Sequence, residues 1–315
     1  MHTYDIPSYL AFLSSALLER LEAEAIPVDA VPGLKVGAGL RERYPTLESD
    51  EALSFVCEVY RAVRGQLRVV LEQRTIDRAF LDAETSACVA RNGDLAYRAP
   101  TYETVIGKRD AAGRTVIGPL PPEGGDDRSE ARVQDRVDVP AFMQGSQVTL
   151  FGPPDTRKMS INAMNALHRR LADEPPIVTS LVEASGQVPR WGADDEDSKT
   201  PIMENFLQAC ENLIGCFDRT LRLEEPQTGR TYALEQSGLA LPIKRIPGLA
   251  LPDGSHLLKG NPLPLHLLDF AMHLFHNWNR PEALVFYVPK LEHDEEAGYL
   301  KALIDAAEAG IQRRH

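Results

Sequence analysis

The chain has 315 residues, 43% apolar and 25% charged, the balance of an ordinary globular protein long enough for one large or two ordinary domains. A formal net charge of −12 excludes a sequence-independent grip on nucleic acid, which needs clustered Lys and Arg. The four cysteines, Cys57, Cys88, Cys210 and Cys216, contain no CxxC pair, which speaks against a zinc site or a disulfide framework and for small buried thiols in a reducing, cytoplasmic setting.

The opening MHTYDIPSYL has no basic segment ahead of an apolar core, so no signal peptide is predicted; no apolar run approaches 18 residues, so no membrane span is expected. Residues 8–24 read as a helix, with Leu10, Leu13, Leu17 and Leu21 at spacings of three and four. Residues 50–74 read as a longer one, with Val56, Val59, Tyr60, Val63 and Leu67 as its apolar stripe. Together they predict a helical N-terminal region over 1–91. From 92 to 140 the chain is rich in Gly, Pro and charge, which predicts an irregular arm or linker with short strands and a mobile tip near 120–130.

The pattern then becomes regular. SQVTLFG, 146–152, predicts a strand, and 156–170 a helix with Met159, Ala163 and Leu167 on one buried face. VPRW predicts a strand running into the acidic turn GADDEDS, after which Thr200 as N-cap and Pro201 at the first helical position open a helix over 201–216. A hairpin is expected over 220–235, turning at Pro226 to Gly229. LPIKRIPG predicts another strand, 263–277 an apolar helix, and ALVFYVPK a strand buried on both faces. Acidic residues at 293–296 open the last helix.

Strand–helix units in series predict a parallel sheet with right-handed crossovers. The expected fold class is α/β, of the (β/α)8 TIM-barrel type, with about four units over 141–315. Charge gathers at the C-terminal ends of the strands, at Gly192 to Asp197, Arg245 to Gly248 and Pro289–Lys290. Two readings stay open there: functional groups at a barrel mouth, or ordinary wet turns.

Five stretches, VTLFGPPDTRKMSINAMNA, GADDEDSKTP, IKRIPGLALP, PLHLLDFAMHLFHNW and FYVPKLEHDEEAGYL, come in the order seen in the malate synthases, and the region 135–309 resembles that family. The helical N-terminus resembles the family's N-terminal clasp more loosely. Asp195 stands where the family usually has Phe, Pro247 replaces the second Arg of R-x-R-G, and the stretch from His168 to Trp191 is longer than in the family. These departures suggest a divergent branch.

The resemblance implies a TIM barrel that joins acetyl-CoA to glyoxylate in a Claisen condensation and then hydrolyses the thioester, with Mg2+ as cofactor. It aligns Arg245 with the active-site arginine, which would stabilise the developing oxyanion. It sets Asp194, Glu196 and Asp197 on the metal side of the pocket and Lys290 towards substrate. Arg157 and Lys158, in the first turn of the 156–170 helix, would meet the coenzyme A phosphates. The family's two metal carboxylates and its proton-abstracting Asp fall in four further units that have no counterpart here, so the expected readings are a second copy or a second chain that completes the barrel, or a truncated product. Bland alternatives stay open for each residue: a structural salt bridge for Arg245, solvated acids for the loop, solubility for Arg157 and Lys158. His266, His273 and His276 read as core histidines. At the level of function the alternatives are a lyase of the citrate-lyase β or malyl-CoA type, and a non-catalytic CoA-binding or scaffold protein.

Overall fold

A computed structural model describes residues 14–92, 139–144, 149–169, 172–197 and 202–315. The expected strands and mobile tip of the arm, Leu10 and Leu13 of the first helix, and the cap at Thr200–Pro201 lie outside these residues.

Helix α1 (Ser15–Glu24) starts where the Ser14 hydroxyl accepts the Leu17 N–H at 3.2 Å. Strands β1 (Ala25–Pro27) and β2 (Leu34–Gly37) and the short α2 (Leu40–Arg43) follow. Helix α3 (Asp50–Asn92) is far longer than the sequence expectation, which followed the apolar stripe alone. Of that stripe Val56, Val59, Val63 and Leu67 are buried and Tyr60 is half-buried; the buried face reaches Leu71, and the helix continues beyond it.

Next come β3 (Thr149–Gly152), α4 (Arg157–Met164), α5 (Pro176–Ser185), β4 (Arg190–Ala193) and α6 (Met203–Phe217). Strands β5 (Arg222–Glu225) and β6 (Arg230–Ala233) form the expected hairpin. The chain continues through β7 (Leu241–Arg245), β8 (Pro252–Leu258), β9 (Asn261–Pro264), α7 (Leu265–Asn277), β10 (Phe286–Tyr287) and α8 (Asp294–Gln312).

One sheet is parallel, with the spatial order β10-β7-β4-β3. Each strand pairs with the one laid down before it in that series, and helices fill the connections, so the fold is mixed α/β around a parallel sheet. A second sheet, β1-β2-β8-β9, is antiparallel and was not expected; it joins residues 25–37 to residues 252–264. The main core draws on α3, α6, α7 and α8, with Phe55, Phe206, Leu267 and Tyr299 fully buried. A smaller core of Ile161, Met164, Trp191, Leu213 and Ala240 lies between the parallel sheet, α4 and α6. Among the described residues no helix is long and apolar enough to cross a membrane.

The ALVFYVPK strand departs from expectation. Only Phe286 and Tyr287 pair, and Tyr287 is 46% exposed. Its position explains this: among the described strands β10 is one edge of the sheet and β3 is the other, where Phe151 is 61% exposed. The two rings meet edge-on over the intervening strands, with centroids 6.4 Å apart. Gly192 is required beneath them, since a Cβ there would stand 2.5 Å from the Phe151 ring. Gly192→Ala is therefore expected to cost about 1–3 kcal/mol of stability. In a Phe151→Ala background most of that cost should vanish, and urea unfolding of the double-mutant cycle decides; additive effects would contradict the contact.

Candidate functional site

The site grows from the loop that leaves β4. The Asp194 N–H donates to the Gly152 carbonyl at 3.1 Å, which ties the loop to the end of β3. The Asp194 Oδ1 then accepts the N–H groups of Glu196 at 3.0 Å and Asp197 at 3.1 Å. This local turn, typical of aspartate, folds the acidic segment back over the end of β7.

Arg245, the last residue of β7, lies beneath it and is 3% exposed. Its Nη1 donates to Asp194 Oδ1 at 2.8 Å and to Glu196 Oε2 at 3.2 Å, and its Nη2 to Asp197 Oδ2 at 2.5 Å. From beyond β10, Lys290 Nζ reaches Glu196 Oε1 at 2.5 Å and Asp197 Oδ1 at 2.9 Å. Glu196 Oε2 also accepts the Gly248 N–H at 2.9 Å. The structure thus brings Asp194, Glu196, Asp197, Arg245 and Lys290 into one cluster at the C-terminal ends of parallel strands. Among the described residues three carboxylates face two cations there. The hydrogen bond from Lys290, with Arg245 behind it, holds the Asp197 carboxyl below its usual range, and Glu196 and Asp197 in turn raise Lys290.

Lys290 has a left-handed backbone, φ 58°. A residue with a Cβ pays for that conformation with strain, so its neighbours must hold it there. Arg74 of α3 does so: its Nη2 donates to the Lys290 carbonyl at 2.8 Å, and it forks onto the buried Glu296 at 2.5 and 2.9 Å. The N-terminal helix therefore braces the site across more than 200 residues of sequence, a role that no local pattern around Arg74 announces.

A second missed set lies behind β7. Lys244, 1% exposed, sits between Asp195 at 3.0 Å and Asp269 of α7 at 2.8 Å. The one signal in the sequence was Asp195 itself, a charge where the related family has an aromatic ring.

Arg157 and Lys158 stand apart from this cluster. Thr156 caps their helix by accepting the Met159 N–H at 3.3 Å. Lys158 Nζ is 2.7 Å from Glu225 of the β5–β6 hairpin and 4.8 Å from the centroid of the Tyr232 ring. Arg157 lines a cleft of about 290 Å3 with Glu211 and Asp218.

No protein-family model matches the chain. Among curated proteins it is 26% identical over 298 residues to malate synthase of Arabidopsis thaliana, covering 90% of this chain and 42% of that protein. It is 27% identical over 306 residues to glyoxysomal malate synthase of Ricinus communis, covering 90% and 44%, and 32% identical over 166 residues to malate synthase of Streptomyces clavuligerus, covering 50% and 27%. This chain is a relative of the malate synthases. It spans about two fifths of the length of the first curated relatives it matches.

In this malate synthase relative two of the three helical histidines, His266 and His273, are buried in the core, and His276 is half-buried. His266 bonds to the Tyr299 hydroxyl at 2.7 Å and His273 to the Ala283 carbonyl at 2.9 Å. Burial pushes both down to about 3, so their rings are neutral. The cysteines described are free and buried, and burial raises Cys57 to about 11 and Cys216 to about 12, which leaves inert thiols. Among the described residues no group of three or more His, Cys, Asp or Glu is placed to hold a metal ion. The carboxylates at the cluster are engaged by Arg245 and Lys290, so they do not fit Mg2+ as they stand.

Proposed function

We propose that this chain supplies the first four strand–helix units of a malate-synthase-like barrel, together with the oxyanion-binding part of a site that condenses acetyl-CoA with glyoxylate to malate. One observation carries the reading: a buried guanidinium at the end of a parallel strand, ringed by the acidic loop and Lys290. The in-order parallel strands support the barrel. The exposed rings of Phe151 and Tyr287 support cover of the sheet's face by a second chain or a second copy.

Arg245 presents a planar fork of donors that matches an oxyanion. Asp197, with its side chain 56% exposed, is the carboxylate that an incoming 2-oxo acid displaces from Nη2. Asp194 and Glu196, far less exposed, remain and keep the guanidinium oriented. An oxygen that gains negative charge during C–C bond formation then receives a fixed cationic donor in a dry setting, where such donors act most strongly. None of the three carboxylates is assigned as the proton-abstracting base, because each is neutralised by a cation. Mg2+, which the family implies, carries no step here. A cleft of about 500 Å3 along β3, lined by Phe151, Met159 and Trp191, offers room for the acyl chain. Arg157 and Lys158 join the reading as contacts for the CoA phosphates, with Glu225 displaced from Lys158.

The test is calorimetry with glyoxylate and with acetyl-CoA, and thiol release with both plus Mg2+. Binding of glyoxylate that is lost in Arg245→Lys, with thiol release by the wild-type chain, supports the reading. A flat thiol trace with CoA binding retained favours a non-catalytic CoA-binding protein. Failure to bind either compound removes both.

A further inference from the structure

Lys244 and Arg245 are neighbours on β7 and face opposite sides of the sheet, as strand residues must. Arg245 faces Asp194, Glu196 and Asp197. Lys244 faces the helices, where its Nζ is 3.0 Å from Asp195 Oδ2 and 2.8 Å from Asp269 Oδ2. The acidic loop divides in the same way, with Asp194 and Glu196 in front and Asp195 behind. Two adjacent pairs of residues, 194–195 and 244–245, are therefore cross-linked twice, once on each side of the sheet. β4 and β7 pair directly here, Ala193 opposite Lys244. Asp269 extends the link into α7, whose Leu267, Leu268 and Ala271 are fully buried. From α6 the Cys210 Sγ lies 3.7 Å from Asp269 Oδ1, and the Phe206 ring centroid 5.9 Å from the Lys244 ammonium.

Stability alone does not account for such a group. Withdrawing ions from water costs several kcal/mol for each, and buried ion sets are often replaced by neutral residues without loss. Here the cost shows: burial raises the carboxyls of Asp195 and Asp269, and Asp195 Oδ1 finds no hydrogen-bond partner among the described residues. Burial alone would also lower Lys244, but the two carboxylates reverse that and keep it charged. What ion pairs supply, and apolar packing does not, is a fixed direction for the backbone that carries them.

We infer that Lys244, Asp195 and Asp269 are positioning residues, a buried ion triad that fixes Arg245 and the loop 194–197 in the geometry needed to receive an anionic substrate. Its consequence for substrate rests on the function proposed above; its effect on the loop and the guanidinium does not. A displacement of about 1 Å in such a group is enough to weaken binding and catalysis severely.

The experiment uses the full chain and two variants. Asp195→Asn keeps the side-chain shape and leaves Lys244 paired with Asp269. The triple variant Asp195→Asn/Lys244→Met/Asp269→Asn removes every charge of the triad. Both are expected to fold, the triple melting within about 5 °C of wild type. Amide exchange at Glu196 and Asp197 should accelerate about tenfold or more, while amides of the antiparallel β1-β2-β8-β9 sheet stay unchanged. Burial and three hydrogen bonds should give the Arg245 guanidinium a slowly exchanging NMR signal in the wild type, identified by its loss in Arg245→Lys; in the variants it should broaden or average out, which a merely structural triad would not cause. Unchanged exchange at 196 and 197 with an unchanged Arg245 signal in Asp195→Asn would overturn the inference, whatever the triple variant does. Glyoxylate affinity should fall about tenfold in the same variants. A wild-type chain that binds no glyoxylate would remove the proposed function and leave the exchange and guanidinium results to judge the triad.

Discussion

Replacing Arg245 with Met is expected to destabilise the chain by about 3–5 kcal/mol, the range for stripping a buried ionic group of its counter-charge. Three carboxylates converge on that guanidinium, and Asp194 and Glu196 have side chains only 8% and 10% exposed. Among the described residues Lys290 is the cation that would remain in the cluster. It is half exposed and its bonds go to Glu196 and Asp197, so it replaces little of what the buried guanidinium supplies. The defect should also depend on pH in a defined direction. The Asp197 carboxyl is held low in the folded chain by Lys290 and Arg245. Its contribution is therefore present above its ordinary value and lost as pH falls through the folded one. Lys290 is present in both proteins and cancels in the difference, so the part of the gap that the attraction between Arg245 and Asp197 supplies should narrow in acid, where Asp197 takes up its proton. Urea unfolding across pH measures this. A loss below about 1 kcal/mol at neutral pH would mean the cluster behaves as a surface network.

What could be read beforehand, and what could not, follows from the range of each interaction. The order of the four parallel strands and of the helix that follows each was legible, because amphipathic spacing and turn residues act within a few positions; helix α5 was not, and the helix expected over 156–170 ends at Met164 with Met159 44% exposed. The acidic loop, Arg245 and Lys290 could be placed near one another because each follows a strand, and parallel strands in series present those ends together. The antiparallel sheet was not legible. Its strands are three to seven residues long, and its pairing of Val36 with His256 spans the chain. Nor was the brace from Arg74 to Lys290, since an arginine on a long helix has no local signature of its partner. Asp195 looked like one more acid in a wet turn. Lys244 and Asp269, which make it a buried ion, lie 49 and 74 positions further on. Arg157 and Lys158 were placed correctly at a helix start, but the hairpin that engages Lys158 with Glu225 could not be docked from sequence.

His256→Leu is expected to be comparably damaging and to reveal itself through the opposite pH dependence. The ring is fully buried on β8, with Nδ1 2.5 Å from Asp253 Oδ2 and Nε2 3.0 Å from Glu48 Oε2. Both nitrogens face carboxylate oxygens, so both must donate, and only the imidazolium can do that. Burial alone would lower its pKa; Glu48 and Asp253 outweigh that and raise it well above the usual histidine value. A group raised on folding contributes fully below its unfolded value, about 6.5, and loses that contribution as pH rises through the folded value. Wild-type stability should therefore decline on the alkaline side more steeply than that of His256→Leu, so that the two curves converge upward in pH. Lys244 is raised as well, but it is present in both proteins and cancels in the difference. At neutral pH the variant leaves Glu48 and Asp253 buried without a counter-charge, for an expected loss of about 3–5 kcal/mol. This pair fixes the segment before α3 to the antiparallel sheet, and α3 carries Arg74. Loosening it should therefore also speed amide exchange in the chain around Lys290. Parallel stability curves for wild type and variant between neutral and alkaline pH would show instead that the ring is neutral and that one of the two carboxyls holds the proton.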